Sequence, residues 1–289
     1  MVQSSTFEVE FWGVRGSVST PGESTVRYGG NTSCVEVRAG DTRIIFDGGT
    51  GLRLLGQKLL ELDAVEAHIF FSHSHWDHIQ GFPFFRPAFL PKNCFHVYGG
   101  VAPNGSTMKD RLSDQMLHPN FPVPMQIMKA DLQFHNLDPG ETVAIGDQGV
   151  TVETALLNHP NTALGYRVNW RGKSVVYATD TEHYPDHIDE NLIRLCRNAD
   201  ILIYDACYTD EEYHDPKSPK IGWGHSTWQE ALKLVDAAGV KQVLMFHHDP
   251  EHDDDCLDQI EAAVRERHPH SRMAREGLVL ALKPEEACV

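Results

Sequence analysis

The sequence predicts an α/β protein of layered sheets, and three observations carry that expectation. Short β-rich apolar runs recur in two series, helical periodicity falls between them, and no linker rich in Gly, Pro and Ser divides the 289 residues. One domain spanning 1–289 is the expected organisation.

In chain order, Phe7 to Trp12, Ser33 to Arg38, Arg43 to Phe46 and Ala67 to Phe71 read as strands, with helical spacing from Leu52 to Leu62. After residue 140 the strand-like runs are Val150 to Ala155, Ala163 to Val168, Ser174 to Ala178, Ile201 to Tyr204 and Gln242 to Phe246. Gln229 to Ala238 and Leu257 to Arg267 read as helices. The stretch 86–132 differs: six prolines, from Pro87 to Pro124, accompany Met108, Met116, Met125 and Met128. It reads as a helix-bearing connection whose methionines fill core gaps, with a lid or homodimer contact as the functional alternative.

Composition narrows the partners. Lys and Arg number 25 against 41 Asp and Glu, a formal charge of −16. Such a surface repels a polyanion unless cations cluster, and no run of Lys or Arg does so. A small-molecule substrate is therefore expected rather than a long nucleic acid. The opening MVQSSTFEVEFWG lacks a basic stretch followed by an apolar one, and no segment approaches the roughly 20 apolar residues of a spanning helix. A soluble, cytoplasmic protein with no membrane partner is expected, so the sequons at Asn31 and Asn104 carry no weight. The cysteines, Cys34, Cys94, Cys196, Cys207, Cys256 and Cys288, never pair as C-x-x-C and read as reduced thiols.

The chemistry concentrates at His73-Ser-His75-Trp-Asp77-His78, directly after an apolar strand run. Four ligand-type side chains within six positions can converge on metal: 73, 75 and 77 share one face of an extended segment, and a turn after 77 brings His78 towards a second ion. Such a site needs more donors. His159, Asp180 and His247 each follow a strand-like run, and a carboxylate at Asp180 can bridge two ions.

In order and setting, these seven residues resemble the ligand set of the metallo-β-lactamase superfamily, especially its ribonuclease Z and small-phosphodiesterase branch. Gly165-Tyr-Arg-Val168, Tyr177-Ala-Thr-Asp-Thr181, Gly224-His-Ser226, Gly13-Val-Arg-Gly-Ser17 and Asp47-Gly-Gly-Thr-Gly51 strengthen that likeness, which runs from about residue 7 to 250. The resemblance implies a four-layer αβ/βα sandwich with metals along one edge. It assigns His73, His75 and His159 to one ion, Asp77, His78 and His247 to the other, and Asp180 to both. It also implies His225 as proton donor to the leaving group and Asp47 as a residue orienting the ligand loop. His248, next to a ligand on a strand end, faces away and reads as a supporting or surface residue. Glu182 and His183, just after Asp180, are candidates for a similar supporting part.

The activity so implied is hydrolysis with two divalent ions, Zn2+ first and Mn2+ or Fe admissible. Hydroxide held between the ions attacks phosphorus or a carbonyl, Asp77 and Asp180 orient it, and His225 protonates the departing oxygen. The family's β-lactamases carry a Cys or Ser-type residue where Asp180 stands, and its diiron flavoproteins a Glu where His75 stands. Glyoxalase II and lactonases share the seven ligands, so acyl hydrolysis stays open beside small phosphodiesters, cyclic nucleotides among them. A metal-holding sensor without turnover is the third reading.

Overall fold

Along β1 (Phe7–Gly13) burial alternates, with Phe7, Val9 and Phe11 facing inward, whereas strands covered on both faces are buried almost throughout. The computed structural model describes residues 6–283; Cys288 lies outside them. β1 is followed by β2 (Cys34–Ala39), β3 (Thr42–Phe46), β4 (Glu66–Phe70), β5 (Cys94–Gly100) and β6 (Asp131–Leu137) in one sheet. The second sheet comprises β7 (Thr142–Ile145), β8 (Val150–Leu157), β9 (Ala163–Trp170), β10 (Lys173–Ala178), β11 (Ile201–Asp205), β12 (Val243–Phe246) and β13 (Arg272–Met273). β14 (Val279–Leu282) then returns to pair with β1.

The inner faces of the two sheets make the central core. Phe46 stacks on Tyr177 at 4.9 Å and on Tyr166 at 5.6 Å across the gap, and Phe11 meets Phe246. Outside the first sheet, Leu52, Leu55 and Leu59 of helix α1 (Gly51–Leu59) cover Ile45, Ile69 and Val97. The outer face of the second sheet is packed by α4 (Glu190–Cys196), α6 (Trp228–Ala238) and α7 (Asp254–Arg267), through Leu195, Val235 and Leu257 among others. Helix, sheet, sheet, helix is the four-layer sandwich expected.

Two short helices, α2 (Trp76–Ile79) and α3 (Met108–Asp114), lie beside the first sheet, and α5 (Asp210–Tyr213) follows β11. The 86–132 stretch is more than a helix-bearing connection, because it contains β5, a full strand paired in parallel with both β4 and β6. Its prolines fall outside the paired residues, since proline cannot donate to a ladder. Met108, Met116, Met125 and Met128 are buried against the outer face of that sheet. The five described cysteines are free, and among the described residues no helix is long and apolar enough to cross a membrane.

Parallel pairing decides where the chemistry sits. β3, β4 and β5 run parallel, as do β10, β11 and β12, so their C-terminal ends gather loops at one edge of the sandwich. Open α/β sheets bind ligands beyond those ends.

Candidate metal centre

Three residues just past strand ends adopt the left-handed backbone that non-glycine residues rarely take: Asp47 (φ 59°), Asp180 (φ 57°) and His247 (φ 62°). The kink turns each side chain inward from its strand terminus. The ligand loop behaves differently from the extended reading of 73 to 77. His75 (ψ 153°) caps α2, so the turn begins there, and Asp77 and His78 both lie on a helical turn.

The structure brings all seven expected residues together. Donor atoms of His73, His75, His159 and Asp180 lie within 4.8 Å of one another, and so do those of Asp77, His78, Asp180 and His247. Asp180 belongs to both sets. Its Oδ1 is 3.7 Å from His73 Nε2 and 4.0 Å from His159 Nε2, while its Oδ2 is 3.2 Å from His78 Nε2 and 3.3 Å from His247 Nε2. His75 presents Nδ1, 3.2 Å from His159 Nε2, and Asp77 Oδ2 lies 3.1 Å from His247 Nε2. Such crowding of imidazole nitrogens suits a shared cation and little else.

The remaining ring nitrogens of His78 and His159 are held from behind. Asp47, fully buried, accepts from His78 Nδ1 (2.8 Å), the Ser72 hydroxyl (2.8 Å), the Ser72 amide (2.7 Å) and the Tyr177 hydroxyl (2.7 Å). His159 Nδ1 donates to the Gly224 carbonyl at 2.9 Å. The Ser17 amide donates to Asp77 Oδ2 at 2.8 Å. That approach requires glycine at 16, because a Cβ there would fall 2.4 Å from the His247 ring. Partners of this kind fix ring orientation and tautomer in metal sites.

Burial and charge set the protonation. Burial pushes the pKa values of His73, His75 and His159 down, leaving the neutral imidazole that metals bind. His78 is opposed by burial too, yet Asp180, Asp77 and Asp47 raise it well above the ordinary histidine value, and the charge that holds this proton is equally available to a cation. His73 Nε2 is buried without a hydrogen-bond partner. An orphaned donor atom facing the carboxylate common to both donor sets, among five imidazoles and two carboxylates, fits divalent metal.

His225 stands at the rim of this cluster. Its Nδ1 is bonded to Asp205 Oδ2 at 2.8 Å, and its ring stacks on His247 at 4.8 Å. Burial lowers its pKa, but Asp205, with Asp180 and Asp77 behind it, pushes the value up to about 9. A cavity of about 460 Å³ is lined by Ser17, Ser74, His75, Asp77, Asp180 and His225, with Trp76 as a further wall.

A model of the β-lactamase superfamily domain matches residues 42–248, most of the chain. The chain belongs to that superfamily. Ribonuclease Z of Enterococcus faecalis is 23% identical over 80% of this chain and 85% of its own length. The likeness to ribonuclease Z of Brevibacillus brevis, 26% identical, spans 40% of this chain and only 35% of that protein. Among solved structures, the metallo-β-lactamase fold protein YhfI of Bacillus subtilis superposes with a TM-score of 0.70 at 20% identity, covering 96% of this chain and all of that one. A diphosphatase of the PhnP family superposes with a TM-score of 0.71 at 17% identity, covering 96% and 98%. The branch expected from the Gly-Tyr-Arg and Gly-His-Ser motifs agrees with these relatives. The superfamily and the clustered donors make this a metal-binding hydrolase fold.

One supporting residue escapes the sequence. Asp205, the partner of His225, also accepts from the Thr181 and Cys207 amides, and its signal is the one that marks Asp47 and Asp180: an acid closing an apolar strand. Glu182 has a definite place, accepting from the Tyr213 hydroxyl and from the Gly222 and Gly224 amides, which pins the loop that carries His225. His183 bonds the Ser226 hydroxyl. His248 is fully buried, not on the surface, and its Nε2 meets the Ala274 carbonyl at 2.7 Å, away from the cluster. Of the other histidines, His252 is buried on Glu212 while His187 and His214 are exposed.

Proposed function

We propose that this chain is a dinuclear metal-dependent phosphodiesterase acting on small phosphodiesters, cyclic nucleotides among them. The observation that carries the reading is the division of Asp180, one oxygen towards His73 and His159, the other towards His78 and His247, with His225 on Asp205 beside it. Zn2+ suits this donor set best. One ion is assigned to His73, His75 and His159, a second to Asp77, His78 and His247, with Asp180 common to both.

Two divalent cations so placed supply Lewis acidity towards a phosphoryl oxygen and a nucleophilic water. The protein does the rest. Asp77 and Asp180 accept hydrogen bonds that orient the water for in-line attack on phosphorus. His225, its Nδ1 committed to Asp205, keeps Nε2 free to hand a proton to the departing oxygen as the P–O bond breaks. Asp205 fixes the tautomer, and Glu182 fixes the loop. The acidic chain, at −16, favours a compact substrate over a long polyanion, and the E. faecalis and PhnP-family similarities support phosphorus rather than carbon as the electrophile.

The test is a hydrolysis panel with metal analysis on the same samples, comparing bis(p-nitrophenyl) phosphate, cyclic nucleotides, lactones and thioesters. Turnover of the phosphodiesters with about two metal ions per chain is expected. Turnover confined to lactones or thioesters would replace this reading with an acyl hydrolase, and full metal content without any turnover would replace it with a sensor.

A further inference from the structure

Trp76 sits between His75, which belongs to one donor set, and Asp77, which belongs to the other. Its position is therefore fixed by the centre on both sides. Yet its ring is 81% exposed, the most of any large apolar side chain among the described residues. An indole left in water gains nothing from folding, so an exposed large apolar group beside a reactive site marks a contact surface.

The ring walls two adjoining cavities. One is the metal-side cavity already described; the other, about 470 Å³, is lined by Gln80, Pro83, Phe84, Gln115, Asn120 and Phe121 in addition to Trp76. Phe84, 53% exposed, meets Phe121 edge to face at 5.6 Å, so the second cavity has its own aromatic wall. No charged residue lines it. Three carboxamides do, and of these Gln115 is anchored by its Nε2 to the Ile79 carbonyl at 3.2 Å, next to the ligand helix.

A second phosphate would find no cation there, and a purely aliphatic group would waste three amides. A flat heteroaromatic ring with donors and acceptors on its edge uses both the faces and the amides. We infer that the Trp76 and Phe84 cavity binds the nucleobase of a nucleotide substrate whose phosphodiester lies at the Asp180 centre, so that Trp76 determines specificity by stacking. This rests on the phosphodiesterase reading for what occupies the metal side, while the base contact itself is a binding claim that does not need turnover.

The experiment titrates zinc-loaded wild type, Trp76→Ala and Trp76→Phe with AMP and with ribose 5-phosphate by calorimetry, alongside turnover of bis(p-nitrophenyl) phosphate and sedimentation. Wild type is expected to prefer AMP by about tenfold or more, the range of a single base stack. Trp76→Ala should erase the preference at unchanged zinc content, and Trp76→Phe should keep most of it. Equal affinity of wild type for the two ligands, or a preference that survives Trp76→Ala, overturns the inference. So does a wild-type dimer that Trp76→Ala splits, because the face then belongs to a second copy. A Trp76-dependent AMP preference without turnover upholds the base site and removes only the phosphodiesterase reading.

Discussion

Asp205 Oδ2 lies 2.8 Å from Nδ1 of His225, and the same carboxylate accepts the amides of Thr181 and Cys207. The imidazole is therefore anchored by a group that is itself locked by backbone. Replacing Asp205 with Asn keeps the shape and removes the charge that holds the Nδ1 proton. Turnover of an ester with a poor, alkoxide-type leaving group should fall by about 10²-fold or more, and turnover of a p-nitrophenyl ester, which needs little protonation, by much less. Zinc content should stay at the wild-type level. Equal losses on both esters would show that His225 does not deliver the proton.

Asp180 is the one side chain common to both donor sets, so its loss should be felt by both ions. Asp180→Asn removes a charge and one strong oxygen donor while keeping volume. Bound zinc, measured by elemental analysis after gel filtration, is expected to drop from about two per chain to one or none. The zinc-dependent gain in melting temperature should shrink with it, because a ligand bound only by the folded state stabilises in proportion to its affinity. Asp186→Asn, at an exposed position, serves as the control with unchanged zinc.

Gly224 has φ 88°, and a Cβ there would stand 2.2 Å from Nδ1 of His159 and 2.5 Å from the Pro160 ring. Alanine at this position meets both a disfavoured backbone region, costing about 1–2 kcal/mol, and a direct clash with a ligand ring. Gly224→Ala should weaken zinc binding about 10- to 100-fold, the usual effect of disturbing a partner behind a ligand. Competition with a fluorescent zinc chelator reads this directly, and affinity within twofold of wild type would refute it.

The seven donors are legible in sequence because four crowd into the six positions after one apolar run and His159, Asp180 and His247 each follow another, and the end of a strand is where a side chain can turn towards a site. Asp205 obeys the same rule and still escapes, since nothing local ties it to His225, 20 positions on; only the loop pinned by Glu182 brings them together. Strand β5 escapes for another reason. Its His96 and its closing Gly99 and Gly100 dilute the apolar alternation, and its pairing with β4 and β6 is a tertiary event. Nothing in the local pattern marks Trp76, and its exposure depends on which face of α2 the His75, Asp77 and His78 side chains occupy. Local pattern carries the chemistry well, then, and carries poorly whatever depends on which surface is left uncovered.

Away from the candidate metal centre, a histidine cluster on the first sheet makes stability depend on pH. His68 on β4 is largely buried, stacked on His96 at 4.6 Å, with its Nδ1 3.2 Å from the Tyr98 hydroxyl; His135 packs on Tyr98 and His96, Glu66 Oε1 lies 3.7 Å from His96 Nε2, and Cys94 links His96 to Asp131. Burial, helped by His96 and His135, lowers the His68 pKa to about 4 from an ordinary 6.5. The folded state thus refuses a proton that the unfolded chain accepts between those two values. Stability from this residue is fully present above pH 6.5, declines as pH falls towards 4, and levels off below it. The expected loss is about 1–2 kcal/mol, less than the full shift because the outer side of the cluster meets solvent. Urea unfolding of metal-free wild type and His68→Phe at pH 7 and pH 4.5 isolates the contribution: the variant should lose less stability on acidification by about that amount. Identical losses in both proteins would show that His68 takes up no proton on unfolding.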